Sequence, residues 1–123
     1  MPDRSRIELL VCVKCRRGEP VAGDSLRPGE RLHAALANGL PDGVTLKPVE
    51  CLSNCSHGCS IALRAPGRWS FVYGNLHEDT AVEIVHDGAA KYRDAPDGLV
   101  KWRERPEHFR KNCIARIPPM RDV

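Results

Sequence analysis

The stretch that decides the fold is Ile7-Glu-Leu-Leu-Val-Cys12-Val-Lys-Cys15, in which an apolar run ends at a pair of cysteines. Aliphatic and β-branched residues dominate the run, which predicts a buried first strand over residues 7–13. Val44-Thr-Leu-Lys-Pro-Val-Glu50 predicts a second strand, which leads directly into Cys51 and then Cys55. Pro48 removes a hydrogen-bond donor from that strand, so we expect the strand to lie at a sheet edge or to bend there.

A helix is predicted between these two strands. It begins near Ser25–Pro28, because proline fits the first turn of a helix, where its missing N–H is harmless. Apolar residues spaced by three or four positions form one face, and Asn38-Gly39 provides a stop. The members of that face are Leu32, Ala35, Leu36 and Leu40. If the two strands pair in parallel through this helix, both cysteine groups emerge at the same edge of the sheet.

Two further strands and a second helix follow the second cysteine group. Cys59–Arg64 and Trp69–Tyr73 predict a hairpin closed by the turn Ala65-Pro-Gly-Arg68, with Gly74-Asn75 ending the last strand. The second helix carries an apolar stripe, although Asp87-Gly88 weakens its last turns. The residues of that stripe are Ala81, Ile84, Val85, Ala89 and Tyr92.

The resulting order, β-α-β-β-β-α, predicts the α/β class. It suits a mixed sheet flanked by helices, the arrangement of thioredoxin-like domains. This domain is predicted to span residues 1–94, and residues 95–123 to form a basic C-terminal extension with a short helix opening at Pro106. Large apolar residues predict that the extension packs on the domain. These residues are Trp102, Phe109, Ile114 and Ile117.

Composition and charge limit the function classes. With 123 residues, 41% hydrophobic and 28% charged, the chain fits one soluble domain with a modest core. Residues 1–90 carry 10 Lys and Arg against 11 Asp and Glu, whereas residues 91–123 carry 9 against 5. This positive excess suits a docking face for an acidic partner, although a solvated tail is the commoner explanation. No nucleic-acid-binding motif is present, so we expect no nucleic-acid partner.

We expect no membrane association and predict a cytoplasmic location. Residues 1–6 are polar, and no apolar run approaches the roughly 20 residues of a membrane span. Thiols stay reduced in the cytoplasm, so clustered cysteines favour metal binding or redox chemistry over structural disulfides. No P-loop, nucleophile elbow or dinucleotide fingerprint occurs, which favours an electron carrier or a metal-binding protein over a catalyst.

Cys12, Cys15, Cys51 and Cys55 are the candidate metal ligands. A C-x2-C turn lets two sulfurs converge on one metal, and residues four apart converge when their loop makes a helical turn. Four thiolates bind either Zn²⁺ or an iron–sulfur cluster, because soft sulfur ligands suit both. Basic residues on both sides of Cys15 favour the anionic cluster, and glycines near each cysteine group let backbone N–H groups approach sulfur.

Three other side chains near or beyond these groups have competing roles. Cys59 shares its strand phase with Ile61 and Leu63, so ligation and core packing suit it equally well. His57 lies in the second cysteine loop, where a hydrogen-bonding or solvent-facing role is favoured because five cysteines are available as ligands. Cys113 stands alone in the extension, and we interpret it as a packing residue.

The cysteine groups resemble a known pattern. Cys51-Leu-Ser-Asn-Cys55-Ser-His-Gly58, followed by an apolar strand, is similar to the C-x3-C-x-x-G segment of thioredoxin-like [2Fe–2S] ferredoxins, which are related to a subunit of respiratory NADH dehydrogenase. Nearly the whole chain resembles more closely a family of small bacterial predicted metal-binding proteins of unknown function. The segments that carry this resemblance are Cys12-Val-Lys-Cys15-Arg-Arg-Gly, Arg27-Pro-Gly-Glu-Arg, Pro48-Val-Glu-Cys51, Ala65-Pro-Gly-Arg-Trp and Trp102-Arg-Glu-Arg-Pro.

The resemblance implies a ferredoxin-like fold with Cys12, Cys15, Cys51 and Cys55 as the ligands. Cys59 is a candidate to replace one of the four. The chain departs from the ferredoxin pattern at two points. Its first two cysteines stand much closer together than in those ferredoxins, and Cys59 occupies a position where they usually have proline.

Three functional hypotheses follow. The first is a carrier of single electrons that holds one [2Fe–2S] cluster and has an unidentified redox protein as its partner. The second is a structural zinc or metal-handling module. The third is a thiol–disulfide oxidoreductase using Cys12 and Cys15, which ranks last because a loop follows the pair where a helix N-terminus is needed. The oligomeric state stays open, with a homodimer as one candidate.

Overall fold

A five-stranded mixed sheet forms the centre of the protein. The structure, a computed structural model, describes residues 7–13, 28–50, 59–77 and 80–120. The strands are β1 (Ile7–Cys12), β2 (Val44–Val49), β3 (Cys59–Arg64), β4 (Ser70–Leu76) and β5 (Cys113–Ile117). The helices are α1 (Pro28–Leu36), α2 (Ala81–Asp94) and α3 (Glu107–Lys111), with a 3-10 turn at Trp102–Glu104. Across the sheet the strands lie in the order β2-β1-β3-β4-β5.

Strands β1 and β2 are parallel neighbours joined through α1. Their register runs from Ile7 opposite Val44 to Cys12 opposite Val49. The pairs β1–β3, β3–β4 and β4–β5 are all antiparallel. The predicted α/β class, with a mixed sheet in the order β-α-β-β-β-α, is therefore confirmed. Strand β2 lies at an edge of the sheet. On the side where β2 has no neighbouring strand, the missing N–H of Pro48 interrupts no backbone hydrogen bonds.

The core lies between one face of the sheet and the helices α1 and α2. Alternating residues of β1 and β3 point to this face, because successive side chains of a strand alternate between its two sides. The sheet contributes Ile7, Leu9, Val11, Ile61 and Leu63, while α1 contributes Leu32 and Leu36, and α2 contributes Val85, Ala89 and Tyr92. All of these side chains are buried.

Strand β4 is longer than the sequence predicts. It continues through Gly74 and Asn75 to Leu76, so the prediction that Gly74-Asn75 ends the strand is wrong. The C-terminal extension supports the additional residues, because Gly74 donates its N–H to the carbonyl of Asn112 at 3.1 Å. Leu76 is buried and pairs with Cys59 at the start of β3. The irregular pairing between Cys59 and Ile61 accommodates Asn75, whose φ is 56°.

Helix α2 runs without a break past Gly88, contrary to the expectation that Asp87-Gly88 weakens its end. The ring of Phe109 from α3 lies against Gly88, and a methyl group at this position would overlap it. Phe109 also stacks on Tyr73 of β4, with ring centroids 3.9 Å apart. The glycine therefore makes room for α3 to pack. No helix in the described residues has the length and apolar character needed to cross a membrane.

The extension adds β5 to the sheet, but most of its large apolar residues stay exposed. Phe109 is buried as predicted, whereas Trp102 is 58% exposed, Ile114 47% and Ile117 55%. The extension contacts the domain through Phe109 and β5, while these three side chains stay largely exposed. The interpretation of Cys113 as a packing residue is wrong, because Cys113 is exposed. The reason is that β5 is an edge strand, attached through its backbone ladder with β4 and through Phe109.

Candidate metal centre

Three cysteine-bearing segments approach one end of the sheet. Cys12 is the last residue of β1, and its parallel neighbour β2 ends at Val49, two residues before Cys51. On the other side of β1, the antiparallel strand β3 begins at Cys59. The parallel pairing that the sequence predicts therefore places the end of β1 beside the end of β2.

The Cys12 thiol points to the start of the second cysteine group. It is 3% exposed, and its Sγ lies 3.7 Å from the carbonyl oxygen of Glu50, to which the S–H donates. Glu50 is the residue immediately before Cys51 in the sequence. A thiol of the first group thus lies against the backbone from which the second group departs.

Helix α1 fixes the backbone at Cys12. Pro28 and Gly29 in its first turn are both buried. Gly29 lies directly against the Cys12–Val13 backbone, and a methyl group on it would overlap the Cys12 carbonyl oxygen. From the other side, Val13 donates its N–H to the Val49 carbonyl at 2.9 Å. The end of β1 is therefore held between β2 and the N-terminus of α1, the helix end that favours negative charge.

Cys59, like Cys12, belongs to the buried core cluster. It is fully buried at the start of β3, in the same cluster as Ile61 and Leu63, and the β3–β4 pairing is irregular between Cys59 and Ile61. This position agrees with core packing, while ligation by Cys59 stays a prediction.

The other predicted ligands, Cys15, Cys51 and Cys55, lie outside the described residues, as does His57. Within residues 7–13, 28–50, 59–77 and 80–120, no three His, Cys, Asp or Glu side chains come together in a group that could hold a metal ion. The described part of the candidate centre is therefore Cys12 and the backbone that positions it.

At the other end of β1, a charge cluster connects three strands. The Glu8 carboxylate binds Lys47 Nζ of β2 at 2.5 Å and Arg64 Nε of β3 at 2.7 Å. Hydrogen bonds from Lys47 and Arg64 lower the pKa of Glu8 from its ordinary value of 4.5 to about 2. The cluster stabilises the β2-β1-β3 arrangement on which the position of Cys12 depends.

The role of Gly29 was not predicted from the sequence, in which Arg27-Pro-Gly-Glu-Arg carries only a family resemblance. The available signal was a glycine directly after the helix-opening proline, since glycine costs a helix about 1 kcal/mol relative to alanine. A glycine kept in a first turn indicates close backbone contact, and here the contact is with Cys12.

Two solved structures share this fold. A thioredoxin-like [2Fe–2S] ferredoxin from Aquifex aeolicus is 18% identical, with a TM-score of 0.57 over 94% of this chain and 97% of that chain. A crystal structure of the wild-type thioredoxin-like [2Fe–2S] ferredoxin from Aquifex aeolicus is 16% identical, with a TM-score of 0.51 over 89% and 96%. These likenesses confirm the predicted thioredoxin-like fold. A search of curated proteins found no match.

A family model also matches the chain. It covers residues 9–119 and is described as "Protein of unknown function (DUF1636)". The match agrees with the resemblance to a family of unknown function, and it includes the four cysteines at positions 12, 15, 51 and 55. The chain belongs to the DUF1636 family.

Proposed function

We propose that this protein binds one [2Fe–2S] cluster and serves as a ferredoxin-like carrier of single electrons. The observation that carries the proposal is the 3.7 Å approach of Cys12 Sγ to the Glu50 carbonyl. It places the Cys12 thiol beside the residue that precedes Cys51 in the sequence, at the end of two parallel strands. The thioredoxin-like fold supports the proposal, because the ferredoxins that share it are described as [2Fe–2S] proteins.

The proposed ligands are Cys12, Cys15, Cys51 and Cys55, and the donor set fits the cluster. Four thiolates are the usual ligands of a [2Fe–2S] centre, which supplies reversible one-electron transfer when bound. Zinc accepts the same four donors, so the structural zinc module is the principal competitor. In this proposal Cys59 belongs to the core, because it is buried in the same core cluster as Ile61 and Leu63.

The described residues have a positioning role. Hydrogen bonding of Val13 to Val49 and the close packing of Gly29 hold the Cys12 backbone in place. Burial of Cys12 keeps water away from this side of the centre. Both effects matter because solvent exposure and hydrogen bonding around sulfur set the reduction potential of an iron–sulfur cluster.

Burial of Cys12 also disfavours a thiol–disulfide oxidoreductase. Reactive cysteines are partly exposed thiolates, whereas Cys12 is almost completely buried. We therefore propose an electron carrier rather than a catalyst. The proposal includes a cytoplasmic location, because thiols remain reduced there.

Visible absorption and electron paramagnetic resonance of anaerobically purified protein test the proposal. We expect a brown protein whose resonance signal arises on reduction with dithionite. Replacing any one of the four proposed ligands by serine should abolish or alter the signal. The matched controls C59A and C113A should retain the wild-type spectrum. A colourless protein with stoichiometric zinc would overturn the proposal, and loss of the cluster in C59A would overturn the ligand set.

A further inference from the structure

A basic surface surrounds an exposed tryptophan in the C-terminal extension. We define this Trp102 surface by five residues: Lys101, Trp102, Arg103, Arg105 and Arg116. Trp102 is the most exposed aromatic side chain among the large hydrophobics of the described residues. Lys101 and Arg103 flank it in the sequence, and both are exposed. The Arg105 guanidinium lies 5.5 Å from the centre of the Trp102 ring.

The two inner arginines, Arg105 and Arg116, both lie near aromatic side chains at the start of β4. Arg105 donates from Nε to the Val100 carbonyl at 2.7 Å and lies 5.9 Å from the Phe71 ring centre. Arg116 of β5 pairs in register with Phe71 and lies 5.1 Å from the Trp69 ring centre. Both arginines therefore adjoin the same position of β4, and the surface extends continuously from Trp102 to β5.

The charge of this surface is not balanced by carboxylates of the described chain. Residues 101–117 contain six Lys and Arg but only two Glu. One of these, Glu107, pairs with Lys111 at 2.8 Å. Among the described residues, no carboxylate lies within ion-pair distance of Lys101, Arg103, Arg105 or Arg116. Ile114 and Ile117 on the same strand as Arg116 are also exposed.

We propose that the Trp102 surface docks a protein partner whose contact surface is acidic. Tryptophan and arginine are the residues enriched at the energetic centres of protein interfaces. Exposed isoleucines fit a protein interface better than a nucleic-acid interface, which is dominated by cations facing phosphates. A solvated basic segment would need neither the exposed tryptophan nor the exposed isoleucines.

The location of this surface suits the proposed electron carrier, and the identity of the partner as a redox protein rests on that proposal. Strand β5 begins at the same end of the sheet as Cys12, because β3–β4 and β4–β5 are antiparallel. Three strand spacings of about 4.8 Å separate β1 from β5, or about 14 Å. A standard interface of about 800 Å² per partner is about 30 Å across. One docked protein can therefore cover β5 and reach the cysteine end of the sheet.

The test is a titration of the isotope-labelled full chain with a flavodoxin, an acidic one-electron protein, followed by amide NMR shifts at low salt. We expect shifts concentrated at residues 101–105 and 113–117, and much weaker binding in 0.5 M salt. R116E and W102A should each weaken binding about tenfold. The matched charge reversal R93E, whose side chain reaches the Asp42 carbonyl beside β2, the sheet edge opposite to β5, should have less than about a third of that effect.

Equal weakening by R116E and R93E would overturn the proposal, since it would indicate unspecific attraction. Unchanged binding by W102A would also overturn it. A single-stranded oligonucleotide that binds the same residues more tightly than the flavodoxin would replace the protein partner with a nucleic acid. Metal analysis of the same samples separates the two proposals. If protein without iron binds the flavodoxin at the Trp102 surface, docking is supported and electron transfer is contradicted. If protein with iron does not bind there, electron transfer is supported and docking is contradicted.

Discussion

Two glycines show how the absence of a side chain shapes this molecule. Gly29 allows α1 to touch the backbone at Cys12, and Gly88 allows the ring of Phe109 to touch α2. Each glycine costs its helix about 1 kcal/mol in intrinsic propensity. In both cases local helix propensity favours alanine, whereas a tertiary contact requires glycine. The tertiary contact determines the structure.

We predict that G88A destabilises the protein by about 1–2 kcal/mol. Overpacking against Phe109 costs about 1–3 kcal/mol, which exceeds the helix propensity that alanine gains. In an F109A background the overlap disappears, so the same substitution should become stabilising by about 0.5–1 kcal/mol. Urea unfolding of the four proteins in this cycle measures both effects. Stabilisation of the wild-type background by G88A would contradict the packing described here.

We predict that the Glu8 cluster makes stability depend on acid pH. Because the pKa of Glu8 is lowered to about 2 when folded, its stabilisation is present above about pH 4.5 and is lost as the pH falls toward 2. At pH 7, E8Q should be less stable than wild type by about 1 kcal/mol, since Lys47 and Arg64 are partly solvated. The free energies of unfolding of the two proteins should converge between pH 4.5 and 2. A constant difference over this range would contradict the ion pairs.

At the scale of elements, the β1-α1-β2 unit positions the candidate centre. Its parallel register places Cys12 opposite Val49, and α1 covers the strand end through Gly29. A displacement of α1 should therefore disturb the thiol at position 12 more than a similar displacement elsewhere.

We predict that G29A loosens the cluster. The added methyl group overlaps a backbone carbonyl, so α1 has to move away from β1 at a cost of about 2 kcal/mol or more. In the presence of a chelator, folded G29A should lose iron several-fold faster than the wild type does. G88A serves as the control, since it disturbs α2 and α3 instead. Equal iron loss from both variants would show that only global stability matters.

The buried elements could be predicted from the sequence, whereas the exposed edge could not. Residues Cys59–Arg64 alternate between two sides, which is the signal of a strand. Strand β5 has no such signal, because all of its residues are exposed and its isoleucines contact no core. The continuation of β4 past Gly74 depends on a hydrogen bond to Asn112, a partner almost forty residues later in the chain.

For the whole molecule, the sequence predicted the adjacency of the β1 and β2 ends better than the role of each cysteine. The parallel pairing of β1 and β2 follows from the strand–helix–strand pattern, and it carries Cys12 to Glu50. The role of Cys59 could not be predicted, because its spacing suits a ligand and its strand phase suits the core. In the structure Cys59 is fully buried within the core cluster, which agrees with core packing, while its ligation stays a prediction.

The central claim is that the cysteines at this sheet end hold an iron–sulfur cluster. Its most direct test is the content of iron, acid-labile sulfide and zinc in protein purified without oxygen. We predict about two iron and two sulfide per chain, because that is the composition of a [2Fe–2S] centre, with little zinc. Stoichiometric zinc without sulfide would contradict the claim.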